Sequence, residues 1–227
     1  MNSLALRVTH RPAVADTTPE TGLVTLSRGG SRAYLMTPET IDPRHTYPLL
    51  TILHGAGRQD ELLVRAYAEE PERRQALFLV VRSFHPTWDL IAGSDGEDLD
   101  FLAHAYEGIY ARYPVDARRQ ALVGYSDGAT YALAVGLSNP RLFAAVMGWA
   151  AGFLAIDTAN LAPDDPKPRV LLEYGTADQL FPFERVAIPM RDTLLRLGYD
   201  VTFRADEGGI HWPSPGFQPA ALDWFFA

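Results

Sequence analysis

Five residues constrain this chain more than any others: Gly124-Tyr125-Ser126-Asp127-Gly128. They read G-x-S-x-G between the apolar run Ala121-Leu122-Val123 and a helix-like segment over residues 129–137. A serine forced into a tight strand-to-helix turn has its hydroxyl exposed at the edge of a sheet, with a helix N-terminus behind it. The flanking glycines fit this geometry because a Cβ at either position would collide with the neighbouring strand or helix. The strand before and the helix after carry more weight than the five letters. The pattern therefore predicts a nucleophile turn at Ser126 on an α/β scaffold.

The rest of the chain alternates in the same way. Leu49-Leu50-Thr51-Ile52-Leu53 and Leu77-Phe78-Leu79-Val80-Val81 are continuous apolar runs, as parallel strands buried on both faces require. Residues 121–123, 144–147 and 170–174 continue the series, and residues 201–205 alternate as a strand near a sheet margin does. Short strands are expected over residues 4–9, 23–26 and 33–36. Ser94 followed by Glu97 reads as a capping box. It would open a helix with Leu99, Leu102, Tyr106, Ile109, Tyr110 and Tyr113 on one face, stopped by Pro114. Residues 183–197 are amphipathic but contain Pro189, which predicts a kink or two pieces. There are no repeats, no low-complexity tract and no linker. The expected architecture is a single α/β domain over residues 1–227, an open, mostly parallel sheet with helices on both faces.

Composition narrows the function classes. A length of 227 residues suits one domain with a sizeable core, and 47% apolar content with 21% charged excludes wholesale disorder. A net charge of −8 without a Lys/Arg cluster argues against a nucleic-acid partner. With no cysteine there are no disulfides, thiolate metal sites or thiol nucleophiles. The six histidines show no paired-ligand spacing, so neither a metal nor a cofactor is expected. Residues 1–12 lack an apolar signal-type stretch and no run approaches membrane-spanning length. The default expectation is a cytoplasmic protein with no membrane insertion.

A serine hydroxyl needs a base to take its proton and an acid to orient that base. On such a scaffold the three follow one another as Ser, Asp or Glu, then His. His211 is the one histidine after Ser126, in the loop Gly208-Gly209-Ile210-His211-Trp212-Pro213. For the acid, Asp178 stands just past the buried run 170–174, at the strand edge where catalytic groups gather. Asp157, Asp164, Asp165, Asp206 and Glu207 are the competitors. Two backbone N–H groups must meet the developing oxyanion. Asp127 supplies one, and Ala56 in the loop His54-Gly55-Ala56-Gly57 the other. His54 precedes Ser126 and adjoins that loop, which favours a structural hydrogen-bonding role.

The chain resembles the small serine esterases of the α/β-hydrolase superfamily, in the phospholipase/carboxylesterase-like group. The matching pieces are Leu53-His54-Gly55-Ala56-Gly57, Pro86-Thr87-Trp88-Asp89, Gly124-Tyr125-Ser126-Asp127-Gly128-Ala129, Tyr174-Gly175-Thr176-Ala177-Asp178 and Gly198-Tyr199-Asp200-Val201-Thr202. They run through nearly the whole chain after about residue 45. The resemblance implies an α/β-hydrolase fold, the triad Ser126, Asp178 and His211, and oxyanion donors at Ala56 and Asp127. One departure is Ile210, which stands between the Gly-Gly pair and His211.

The segment between runs 144–147 and 170–174 is too short to build a cap domain, so the site should be open. Short acyl or aryl esters are then the expected substrates, and a small-molecule ester the expected partner. Phe84, Trp88, Trp149, Phe153, Phe181 and Trp212 each follow a strand. Trp88, Trp149, Phe181 and Trp212 are taken as the substrate-binding candidates. The rival readings are a thioesterase or peptidase on the same triad, and a non-catalytic binding protein on the same scaffold.

Overall fold

The computed structural model describes residues 3–8, 19–94 and 96–227. Eight strands form one open sheet: β1 (Leu23–Arg28), β2 (Ser31–Met36), β3 (Tyr47–Leu53), β4 (Leu77–Val81), β5 (Val115–Tyr125), β6 (Ala145–Trp149), β7 (Arg169–Gly175) and β8 (Val201–Asp206). Their order across the sheet is β1-β2-β4-β3-β5-β6-β7-β8. The two pairings that involve β2 are antiparallel, and all others are parallel. Every residue of β3, β4 and β6 is buried, which is why these strands appear in the sequence as unbroken apolar runs.

Among the described residues, seven α-helices connect or flank the strands: α1 (Asp60–Ala66), α2 (Glu70–Arg74), α3 (Asp89–Ala92), α4 (Glu97–Tyr110), α5 (Asp127–Ser138), α6 (Ile188–Arg196) and α7 (Phe217–Phe226). Side-chain alternation along the strands assigns them to faces. Thr51 bonds Tyr106 of α4 at 2.6 Å, and Gln120 accepts from Tyr110 of the same helix at 2.6 Å. Tyr174 meets Met190 of α6 on that face. Tyr125, one residue out of phase, meets Tyr67 after α1 and Phe217 of α7 on the opposite face. Helices thus cover both faces, and the buried phenols of α4 each find a partner, as buried hydroxyls must.

Two local expectations need revision, and a third is met. The capping box does not form: the N-cap of α4 is Gly96, with no side-chain cap bond. The cap comes instead from Asp89, whose Oδ2 accepts from Asp98 N at 3.0 Å and Leu99 N at 3.2 Å. Asp98 reciprocates, accepting from Asp89 N at 2.8 Å and Phe84 N at 2.7 Å. Two carboxylates nine positions apart do what one local pair was expected to do. Of the strand expected over residues 4–9, Thr9 lies outside the described residues and the described part pairs with no strand. Its backbone is held by side chains: Leu4 N donates to Asp157, and Leu6 N and Leu4 O bond the Asn139 amide. The segment with Pro189 does divide, into a π-helical turn at Phe183–Ala187 followed by α6.

Burial of the reciprocal cap has a pH consequence. Desolvation pushes Asp98 from 3.8 up to about 6, against the lowering effect of its backbone hydrogen bonds. The folded chain therefore keeps this proton to a higher pH than the unfolded chain does, and stability from this group falls as pH rises. Relative to Asp98→Asn, the native protein should lose unfolding free energy between about pH 4 and pH 6. Urea titrations of both proteins across that range measure it; parallel pH profiles would contradict the assignment.

Candidate active site

Ser126 lies between β5 and α5 with φ 53° and ψ −115°, a conformation that costs a non-glycine residue about 1–3 kcal/mol. What permits it is close packing on either side. A Cβ on Gly124 would overlap the Gly128 carbonyl, and one on Gly128 would overlap the carbonyls of Leu53 and His54. The turn is tied to the next strand by Ser126 N donating to Trp149 O at 2.8 Å.

The structure brings Ser126, His211 and Asp178 into one hydrogen-bonded chain. Ser126 Oγ is 2.8 Å from His211 Nε2, and His211 Nδ1 is 2.6 Å from Asp178 Oδ2. A carboxylate only accepts, so Nδ1 carries the imidazole proton and Nε2 presents a lone pair to the serine hydroxyl. Asp178 is itself fixed, since its Oδ1 accepts from Leu180 N at 2.8 Å and Phe181 N at 2.9 Å. Three of the competing carboxylates are engaged elsewhere. Glu207 accepts from Thr176, Asp165 from Arg141 and Ala162 N, and Asp157 caps Ala159. Asp206 packs against Gly209.

The loop carrying His211 accommodates Ile210 by turning it outward, 63% exposed, while Trp212 N donates back to Ile210 O at 2.7 Å. Ahead of His211, Gly209 O accepts from Ala177 N at 2.8 Å. Behind it, Ser214 Oγ donates to the buried Glu173 carboxylate at 2.9 Å, whose other oxygen lies 3.0 Å from Arg204 Nε. Neither Glu173 nor Ser214 stood out in the sequence, because a strand carboxylate with a partner forty-one positions away leaves no local pattern.

On the other side of Ser126, Gly55 and Ala56 line the same cleft. His54 Nδ1 lies 2.6 Å from Gly55 O, and His54 Nε2 accepts from Ser83 N at 3.0 Å. Burial pushes His54 below the ordinary histidine range, which matches a neutral ring with one donor and one acceptor. Because a trans peptide sets C=O and N–H on opposite sides, holding Gly55 O turns the Ala56 N–H away from His54. That N–H bonds no other described residue. Asp127 N is the first donor of α5 and likewise has no intrahelical partner. The Asp127 carboxylate accepts from Thr87 Oγ1 at 2.5 Å.

Of the four aromatic candidates, Trp149 and Trp212 line the cleft. Trp88 does not. It is 1% exposed, stacked between His54 and Tyr131, and donates its indole N–H to His54 O. It braces the loop at His54 and Gly55 from inside the core, and its place after a strand did not distinguish that from a cleft position. Phe181 is also absent from the cleft wall; its ring meets His211 edge-on at 5.0 Å and fills the space over Gly152. The opposite wall comes from α1, with Gln59, Leu62, Leu63 and Ala66, and from Pro213, Pro215 and Gln218. A helix of seven residues beginning Asp-Glu carries too short a pattern to be found by periodicity, so this wall was not foreseen. The cleft has a volume of about 440 Å³.

No family model matches the chain. The curated protein named "Putative esterase NocK", from Nocardia uniformis subsp. tsuyamanensis, is 31% identical over 206 residues. The match covers 82% of this chain and 56% of the relative, so the chain spans just over half of that protein's length. Among solved structures, a CE1 ferulic acid esterase from Anaeromyces mucronatus superposes with a TM-score of 0.70 at 14% identity, covering 98% of this chain and 97% of the other. The S-formylglutathione hydrolase FrmB from Staphylococcus aureus superposes with a TM-score of 0.68 at 14% identity, covering 91% and 99%. The chain has the α/β-hydrolase fold. It is similar to esterases in sequence and to esterases and hydrolases in architecture.

The packing at the turn makes two substitutions diverge. Gly128→Ala forces a Cβ into backbone carbonyls and should lower Tm by about 5 °C or more, the scale of 2–3 kcal/mol of overpacking. Asp127→Asn keeps the backbone N–H and an acceptor for Thr87. It loses only the favourable charge at the helix start, about 0.3–1 kcal/mol, and should change kcat by less than about tenfold. Thermal scans and steady-state kinetics of both variants check this; a hundredfold loss in Asp127→Asn would contradict a backbone role.

Proposed function

We propose that this protein is a serine hydrolase of carboxylic esters that works through an acyl-enzyme. The observation that carries the reading is the continuous chain Ser126 Oγ, His211 Nε2, His211 Nδ1, Asp178 Oδ2, with contacts of 2.8 and 2.6 Å. Ser126 Oγ attacks the ester carbonyl carbon while its proton passes to His211 Nε2. Charge builds on the carbonyl oxygen, where the N–H groups of Ala56 and Asp127 receive it. Collapse of the tetrahedral species breaks the bond to the alcohol, which leaves with the proton from Nε2. A water then gives its proton to Nε2 and attacks the acyl carbon, and Ser126 departs with that proton restored. Asp178 remains a carboxylate throughout and holds the imidazolium that forms at each step.

Short-chain or aryl esters suit the site. Between β6 and β7 the chain makes only a one-turn 3-10 helix at Thr158–Asn160, so nothing of cap size covers the serine. Among the described residues the cleft walls contain no Lys, Arg, Asp or Glu, which disfavours anionic substrates such as nucleotide-bearing thioesters. No helix among the described residues is long and apolar enough to cross a membrane, in keeping with a small-molecule ester as the partner.

Ser126→Ala should fold yet lose ester hydrolysis by about three decades or more. Asp178→Asn should lower kcat by a comparable factor by favouring the wrong imidazole tautomer, while Asp206→Asn stays within about threefold of the native enzyme. Nitrophenyl ester kinetics separate these; a mild Asp178→Asn with a severe Asp206→Asn would move the acid to Asp206.

A further inference from the structure

At the cleft lies a pair of bonded phenols that the proposed triad does not use, one lining the cleft and one behind it. Tyr67, just after α1, is 1% exposed, whereas Tyr125, the residue before Ser126, lines the cleft. Their hydroxyl oxygens lie 2.7 Å apart. Each phenol has one proton to donate. One of the two protons occupies the shared bond, and no described residue accepts the other.

The direction of the shared bond follows from burial. If Tyr125 donated, the Tyr67 proton would be sealed in the core without an acceptor, a penalty larger than the gain from one ordinary hydrogen bond. Tyr67 therefore donates to Tyr125, and the Tyr125 proton is left for whatever occupies the cleft. Desolvation pushes the Tyr125 phenol up to about 12, so the proton is present throughout the neutral range.

The surroundings define what this proton can meet. Leu62, Leu63 and Ala66 line the same cleft as Tyr125, as do Trp212, Pro213 and Pro215. A hydrocarbon group placed against this phenol would leave its donor unpaired, whereas an oxygen in the right place would accept the proton.

We infer that Tyr125 is a specificity-determining donor to a neutral acceptor oxygen, an ether, hydroxyl or carbonyl, borne on the apolar part of the substrate. This rests on the ester-hydrolase reading given above. The preferred esters then combine an apolar body with one uncharged polar atom beyond the scissile group, rather than a plain alkyl chain.

Two isosteric pairs test it: nitrophenyl esters of para-methoxy- and para-ethyl-substituted hydrocinnamic acid, and the corresponding shorter phenylacetic pair. Within each pair the substituent is insulated from the carbonyl, so intrinsic reactivity is nearly equal, and alkaline hydrolysis corrects the remainder. The native enzyme should favour the methoxy member of at least one pair by about three- to tenfold in kcat/KM. Tyr125→Phe should bring that ratio to one, while Tyr67→Phe, which leaves the Tyr125 proton in place, should keep it. A native ratio near one in both pairs, or a preference that survives in folded Tyr125→Phe, overturns the inference. If Tyr125→Phe does not fold, the native ratio alone decides: a methoxy preference supports the assignment and a ratio near one overturns it. Failure of the hydrolase reading looks different, since the native protein would then release nitrophenol from neither member.

Discussion

The contact between Gly124 of β5 and Gly128 of α5 is the constraint on which the rest depends. Strand and helix approach so closely there that a single Cβ on either side would meet backbone carbonyls. That approach holds Ser126 at a positive φ, which the chain tolerates only because packing over-determines it. The result is a hydroxyl fixed at the carboxyl end of a central strand, at the start of a helix that has free N–H groups. Relaxing the contact would let the serine settle into ordinary backbone geometry and lose its alignment with His211.

Everything else at the site reaches this point from loops at the same sheet edge, as open α/β sheets favour. Each loop has its own anchor. The loop at Gly55 and Ala56 is held by His54, which is braced in turn by Trp88 and Ser83. The turn carrying Asp178 is held by two backbone N–H groups on Asp178 Oδ1. The loop carrying His211 is pinned before it through Gly209 and after it through Ser214 and Glu173. These anchors hold the loops whose side chains meet at the 2.8 Å contact between His211 and Ser126. The cleft wall is supplied by α1 and the segment before α7, which lie on the face opposite α4, α5 and α6.

The sequence made the scaffold legible wherever a signal was continuous along the chain. Fully buried strands leave apolar runs, the turn leaves its glycines, and the order of Ser126, Asp178 and His211 follows the order of the strands. What escaped was determined by contacts between distant positions. The local capping pair at Ser94 and Glu97 lost to Asp89, which reaches across from α3 to cap α4. Trp88 was expected in a loop after a strand, as Trp149 was, but stacking on His54 and Tyr131 draws it into the core. Residues 4–8 have strand-like composition yet bond to side chains of Asp157 and Asn139. Tyr125 stood inside the motif in plain view, but its role depends on Tyr67, fifty-eight positions earlier.

The central claim is that Ser126 is a nucleophile activated by His211. Covalent labelling by a fluorophosphonate tests this most directly, because it reads the nucleophile without requiring knowledge of the substrate. Intact-mass spectrometry of the treated protein should show one phosphonyl adduct per chain, and peptide mapping should place it on Ser126. Ser126→Ala should remain unmodified, and His211→Ala should label far more slowly. Absence of any adduct on the folded native protein, or an adduct at another residue that persists in Ser126→Ala, would contradict the account.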